Sequence, residues 1–220
     1  MWTKQVLEMI WQGVLETLYM TGLSTFFGYV LGLPLGIILA ITDKTGIRPN
    51  RFLYRTLDIL VNILRSIPFL ILLILLIPFT RLLVGRSYGS TATVVPLVVA
   101  AAPFIARMVE SSVKEVDAGV IEAARSMGSS PLQIIRKVLL TEARPSLLVG
   151  ATIAFATILG YSAMAGFTGG GGLGAIAVNY GYYRYKEAMM LVTVAILVII
   201  VQIFQELGLY LARRIDRRNR

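Results

Sequence analysis

Five apolar runs constrain this chain more than any other feature. A helix needs about 20 mostly apolar residues to cross the hydrocarbon core of a bilayer, and runs of that order lie at about 14–41, 57–79, 93–109, 147–167 and 188–211. The third is short and is expected to meet the interface early or to pack inside a bundle. The first has no basic leader before it and continues too far for a cleaved signal peptide, so it reads as a retained span. The expected fold is an all-α membrane protein, one transmembrane domain over residues 1–220 with five spans in the lipid bilayer.

The formal net charge of +9 invites a nucleic-acid reading, but the basic residues stand between and beyond the apolar runs, as membrane topology demands. No nucleic-acid partner is expected. Lys44 to Arg55 follow the first run, Arg107 to Arg144 lie between the third and fourth, and Arg213, Arg214, Arg217, Arg218 and Arg220 form the tail. Fifteen basic residues thus fall on one side and five on the other. The positive-inside rule puts the N-terminus outside and the C-terminus in the cytoplasm of a multi-pass cell-membrane protein. The tail reads as a topology anchor near anionic lipid.

What the chain lacks narrows its chemistry. It has no cysteine and no histidine, which removes disulfides, thiol nucleophiles, zinc ligation of the usual kind and His-based proton transfer. No metal site is expected. No Asp or Glu lies near the middle of a run, where proton-driven transporters hold a titratable group. The GxxxxGK[ST] pattern for nucleotide phosphates is also absent. If this chain moves a solute uphill, another subunit must supply the energy. No enzymatic site and no cofactor of its own are expected.

Val120–Leu140 is the long mixed polar and apolar segment between membrane-grade runs. It predicts two short helices with a bend at Gly128, which suits the positive-φ stop of the first helix. Ser130 can cap the second, with Pro131 in its first turn. Leu132, Ile135, Val138 and Leu139 would form one face, and Gln133, Arg136 and Lys137 the other. Two readings stand here: an amphipathic pair lying on the membrane, or a docking element for a cytoplasmic partner. The charge count puts the segment in the cytoplasm, and the missing energy source favours docking.

Other runs carry their own signals. Gly28, Gly32 and Gly36 form a small-residue stripe that lets another helix approach closely, and Pro34 is expected to kink the same helix. Asp58, Asn62 and Ser66 share a helical face, with Arg65 one residue off it. Arg65 either snorkels to the headgroups or touches a substrate. Arg107 and Glu110 read as a structural i,i+3 pair. The glycine-dense stretch from Gly160 to Gly174 cannot form a continuous lipid-exposed helix, and so reads as a re-entrant or gating segment. Tyr180, Tyr182, Tyr183 and Tyr185 fit an interfacial aromatic belt.

Glu122-Ala123-Ala124, then Gly128, Val138 and Leu140, resemble the EAA loop of type I ABC-importer permeases, whose pattern is EAA-x3-G-x9-I-x-L-P. Val138 replaces the Ile, and Thr141 stands where the Pro is usual, with Pro145 following shortly. Within that family the likeness is closest to methionine-importer permeases and covers nearly the whole chain. It includes Arg65-Ser66-Ile67-Pro68-Phe69, the segment from Ala102 to Glu110, Gly160-Tyr161-Ser162-Ala163-Met164, and Gly172-Leu173-Gly174.

The resemblance implies a permease that imports methionine, including its D-isomer and related forms, by alternating access in the inner membrane. It implies a homodimer, two cytoplasmic ATP-binding subunits that hold the ATP and Mg, and an extracytoplasmic methionine-binding protein. Glu122, Ala123, Ala124, Arg125, Met127, Gly128, Ser129 and Pro131 would then be the ATPase-coupling residues. Met164 becomes a gate candidate, with ordinary packing as its alternative, and Tyr161, Ser162 and Arg65 become translocation-path candidates. Gly169, Gly170, Gly171, Gly172 and Gly174 would meet the binding protein or shape the outer gate. Import of another small solute, or a membrane scaffold or channel working without an ATPase, are the alternatives.

Overall fold

The computed structural model describes residues 3–216, and every regular element among them is helical. Arg217, Arg218 and Arg220 of the basic tail lie outside the described residues. Helix α1 (Lys4–Thr42) has 39 residues, about 58 Å at 1.5 Å per residue. That is far more than a bilayer core needs, and the helix starts well before its apolar run. Gly13, Thr17, Thr21, Ser24, Gly28, Gly32 and Gly36 are all buried on it. The glycine stripe faces α5 (Ser90–Lys114), and a Cβ at Gly32 would stand 2.7 Å from the Ala102 carbonyl oxygen and 2.9 Å from Ile105 Cβ. The two backbones therefore come together as the stripe predicts. Pro34 stands within α1 without ending it.

The second apolar run is not one straight helix. It breaks into α2 (Arg51–Ser66), α3 (Phe69–Leu75) and α4 (Ile77–Val84), with α2 and α3 meeting at 99°. Pro68 explains the break, because the residue before a proline is pushed out of the helical region. Ile67 accordingly sits at φ −80°, ψ 122°. The third run is longer than its apolar part suggests: α5 carries Pro96 and Pro103 inside it and continues to Lys114. Ion pairs of Arg107, Glu110 and Lys114 sustain this polar end.

Beyond α5 come α6 (Ala118–Ser126), α7 (Pro131–Gln133), a π-helical turn (Ile134–Leu139) and α8 (Leu140–Glu142). Next are α9 (Arg144–Met164), a 3₁₀ turn (Ala165–Thr168), α10 (Gly172–Ile176), a second π turn (Ala177–Tyr182) and α11 (Glu187–Ile215). Phe155 of α9 stacks on Phe204 of α11 with centroids 4.1 Å apart. Among the described residues four helices are long and apolar enough to span: α1, α5, α9 with its 3₁₀ extension, and α11; the bent α2–α3 pair makes a fifth.

The glycine-dense stretch turns back on the bundle. Gly171 adopts φ +87°, ψ −168°, which suits glycine alone. Gly166 lies directly against the backbone of Gly174 and Ala175. Helix α10 then begins on side chains of α1: the Gly172 N–H donates to Glu16 Oε2 at 2.7 Å and the Leu173 N–H to Thr17 Oγ1 at 2.9 Å. Thr17 is buried, so Thr17→Val leaves the Leu173 donor unpaired away from water. A loss of about 1–3 kcal/mol is expected, read as a lower melting temperature in detergent; an unchanged one would refute the capping role.

Candidate functional site

The Val120–Leu140 hairpin forms as its residues dictate. Gly128 takes φ +77°, and Ser130 and Gln133 make a reciprocal capping box, 3.4 Å to the Gln133 N–H and 2.7 Å from the Ser130 N–H. The expected apolar face is shifted, however. Ile134 and Leu139 are buried, Ile135 and Val138 are half-buried, and Leu132 is 58% exposed. The π turn is the reason: its i→i+5 pairing aligns residues five apart, and Ile134 and Leu139 are such a pair.

The coupling candidates divide by direction. Glu122, Ala123, Arg125, Met127, Gly128 and Pro131 are exposed, with Met127 at 79%. Ser129 is half-buried. Ala124 is 4% exposed and packs into the core cluster that includes Ile134 and Leu139. Its small size lets the two arms of the hairpin approach each other, so the close approach it gives is internal. The Arg125 guanidinium donates to the Ile47 carbonyl at 2.9 Å, tying α6 to the loop between α1 and α2. Glu122, Ile121 and Arg125 border a cleft of about 330 Å³ with Ile41, Gly46 and Lys114.

At the other end of α9, Met164 is 48% exposed and Tyr161 stacks on Phe69 of α3, centroids 4.6 Å apart. Ser162 points inward, 1% exposed, and donates to the Leu159 carbonyl of its own helix at 2.7 Å. It is not on the surface that Met164 presents. Arg65 is exposed in the last turn of α2, just before the break. Of the glycines, Gly169 is exposed and Gly171 half-buried, while Gly170, Gly172 and Gly174 are buried. The buried three shape the turn from within. Exposed at this turn are Phe167 and Tyr88, whose Cβ lies 3.8 Å from the Cβ position of Gly169.

A charged cluster joins α2, α5 and the end of α1. Arg107 reaches Asp58 at 2.6 Å, Asn62 Oδ1 at 2.9 Å and Glu110 at 2.7 Å. Glu110, 2% exposed, also accepts from Lys114 at 2.7 Å and from the Tyr54 hydroxyl at 3.2 Å. Lys114 in turn pairs with Asp43 at 2.9 Å. The cation that Asp58 and Asn62 hold is thus Arg107 of another helix, not their neighbour Arg65. The hydrogen bond from Lys114 holds the Asp43 carboxyl below its ordinary range. A depressed carboxyl stabilises the fold above the unfolded pKa and loses that contribution as pH falls through the folded one. Asp43→Asn is therefore expected to lower the melting temperature at pH 7, and the difference should shrink progressively as the pH falls below about 4. A gap that persists in acid would contradict this.

Residues 32–220 match the family described as binding-protein-dependent transport system inner membrane component. The probable D-methionine transport system permease protein MetI of Vibrio cholerae is 52% identical over 203 residues, covering 92% of this chain and 90% of its own length. The D-methionine transport system permease protein MetI of Salmonella typhimurium is 57% identical over 161 residues, 72% of this chain and 74% of its own. Among solved structures, a chain of the MetNI methionine ABC transporter in an inward-facing conformation superposes with a TM-score of 0.97. It is 50% identical, and the match covers 98% of this chain and 100% of that one.

Proposed function

This chain belongs to the family of binding-protein-dependent transport system inner membrane components, and on that premise we propose that it is the permease subunit of an ATP-driven methionine importer. The observation that carries the reading is its 52% identity, over 92% of the chain, to a protein named as a probable D-methionine transport system permease. L- and D-methionine and related forms are the cargo. The active unit is a homodimer with two cytoplasmic ATP-binding subunits, which hold ATP and Mg, and an extracytoplasmic binding protein delivers the substrate.

The N-terminus lies outside and the C-terminus in the cytoplasm, which puts the Val120–Leu140 hairpin on the ATPase side. Glu122, Ala123, Arg125, Met127, Gly128 and Pro131 form the seat, with Ala124 and Ser129 shaping it from behind. ATP binding draws the two hairpins together and turns the permease outward; hydrolysis reverses the motion. The chain contributes the pathway and performs no hydrolysis. Met164, at the exposed end of α9, lies at the gate, and Tyr161 holds that end against α3. The turn built by Gly169, Gly170, Gly171, Gly172 and Gly174 shapes the outer gate, where the binding protein docks.

Co-expression with a candidate ATP-binding subunit tests the assembly. Support is a complex that survives detergent extraction and hydrolyses ATP. A permease that purifies alone while its partner remains soluble would refute the reading.

A further inference from the structure

We infer that the ion cluster between α2 and α5 carries the movement of the hairpin to α2, with Arg107 as the positioning residue of the transport stroke. The inference rests on the importer reading above. Tyr54, Asp58 and Asn62 recur every four residues along α2 and form one stripe. All three are bound by α5: Tyr54 by Glu110, and Asp58 and Asn62 by Arg107. The rest of its hold is apolar, with Tyr54, Leu57 and Val61 packed against Leu35 and Leu39 of α1 and Ala106 of α5. Val61 is its one buried side chain, in a small cluster with Leu39 and Ala106. The far end of α2 is cut from α3 by the 99° break, and α3 packs both on α9, through Phe69 and Tyr161, and on the apolar face of α5 at Leu97, Ala101 and Ile105. Helix α2 thus runs at 99° to the helix that follows it, and its polar face is clasped to α5.

The other end of the clasp leads to the hairpin. Helix α5 ends at Lys114 and α6 begins at Ala118. Lys114 binds Glu110 within α5 and Asp43 beyond α1, and Arg125 of α6 binds the Ile47 carbonyl in the same loop. A shift of α6 therefore moves the end of α5 and the α1–α2 loop together, and both pull on α2. Glu110 makes the clasp all-or-none. A carboxylate this buried is costly without its partners, so the cluster moves as a unit. The break at Ile67–Pro68 lets α2 turn relative to α3.

The chain has no cysteine, so a single introduced pair reports without background. In proteoliposomes holding the permease with its ATP-binding partner and supplied with the binding protein, Asp58→Cys with Arg107→Cys is expected to lower ATP-driven methionine uptake about tenfold. Partner retention and ATP hydrolysis stay at the wild-type level. A short bifunctional thiol reagent joining the two cysteines then restores uptake, because a covalent tie replaces the ionic one. Should the double variant not assemble, Asn62→Ala is read the same way, with uptake down about threefold at unchanged hydrolysis. Wild-type uptake in these variants overturns the inference. So does hydrolysis that falls in step with uptake, or a cross-link that leaves uptake low. A wild-type permease that retains no ATP-binding partner fails the importer reading itself and removes the ground for this one.

Discussion

Glu122→Arg is expected to strip the ATP-binding partner from the permease and abolish uptake, while the permease itself stays folded. Glu122 is exposed on α6 and makes no hydrogen bond or ion pair among the described residues, so the fold does not depend on its charge. On the proposed docking, its charge lies in the seat with the exposed Met127 and Gly128. Reversing a charge at the centre of such an interface typically costs about 2–4 kcal/mol, which is roughly 30- to 1,000-fold in affinity. Two readings on one preparation separate docking from folding. Partner retained on an affinity-tagged permease should fall to background, and the melting temperature of the permease alone should not move. Full retention would remove Glu122 from the seat, and a fall in melting temperature would show that the residue serves the fold.

Gly32→Leu is expected to be the most damaging substitution for the fold. A Cβ at position 32 meets the Ala102 carbonyl oxygen at 2.7 Å and Ile105 Cβ at 2.9 Å. These are backbone and branch-point atoms, which cannot swing aside as the end of a flexible side chain can. Helices α1 and α5 would have to separate, and the contacts on either side at Gly28 and Gly36 would open with them. Overpacking costs typically 1–3 kcal/mol, and displacement of a whole helix puts the expected loss at or above about 3 kcal/mol. Gly22, on the same helix, has nothing within 4 Å of its Cβ position. Gly22→Ala should therefore leave the protein intact or stabilise it slightly, by up to about 1 kcal/mol. Equal melting temperatures for Gly32→Leu and Gly22→Ala would show that the stripe is not a packing surface.

Parts of this architecture are legible in the residues, and the division has physical causes. The glycine stripe and the Ser130–Gln133 cap are local, with few alternatives, so spacing alone predicts their roles. Gly128 is as clear, since a helix followed by a sharp bend needs a positive φ. Pro68 announces a disturbance, but the size of the turn depends on how α3 packs against α9, and a 99° break cannot be read from one proline. The clasp is hidden for another reason. Asp58 and Arg107 lie 49 residues apart, and α2 offers Arg65 as a nearer but misdirected partner. The same holds for Glu16 and Gly172, 156 residues apart. The π turn at Ile134–Leu139 leaves no composition signal, yet it decides that Ile134 and not Leu132 faces inward. Of the hairpin, its position and bend are readable; the inward direction of Ala124 follows only from the packing of its two arms.

The burial of the site residues also sharpens what the permease contributes. Ser162 and three of the five glycines are internal, so the outer end of α9 presents Met164 and the turn, with few polar groups to grip an amino acid. On the proposed reading, selectivity rests chiefly on the binding protein, and the permease supplies a path opened by its ATP-binding partner. The direct test is uptake of labelled methionine into proteoliposomes carrying the permease, its ATP-binding partner and the binding protein, with ATP enclosed or omitted. The expected result is accumulation that requires ATP, is competed by unlabelled D-methionine, and disappears with Glu122→Arg. Accumulation without ATP, or ATP-driven uptake of a different amino acid with none of methionine, would contradict it.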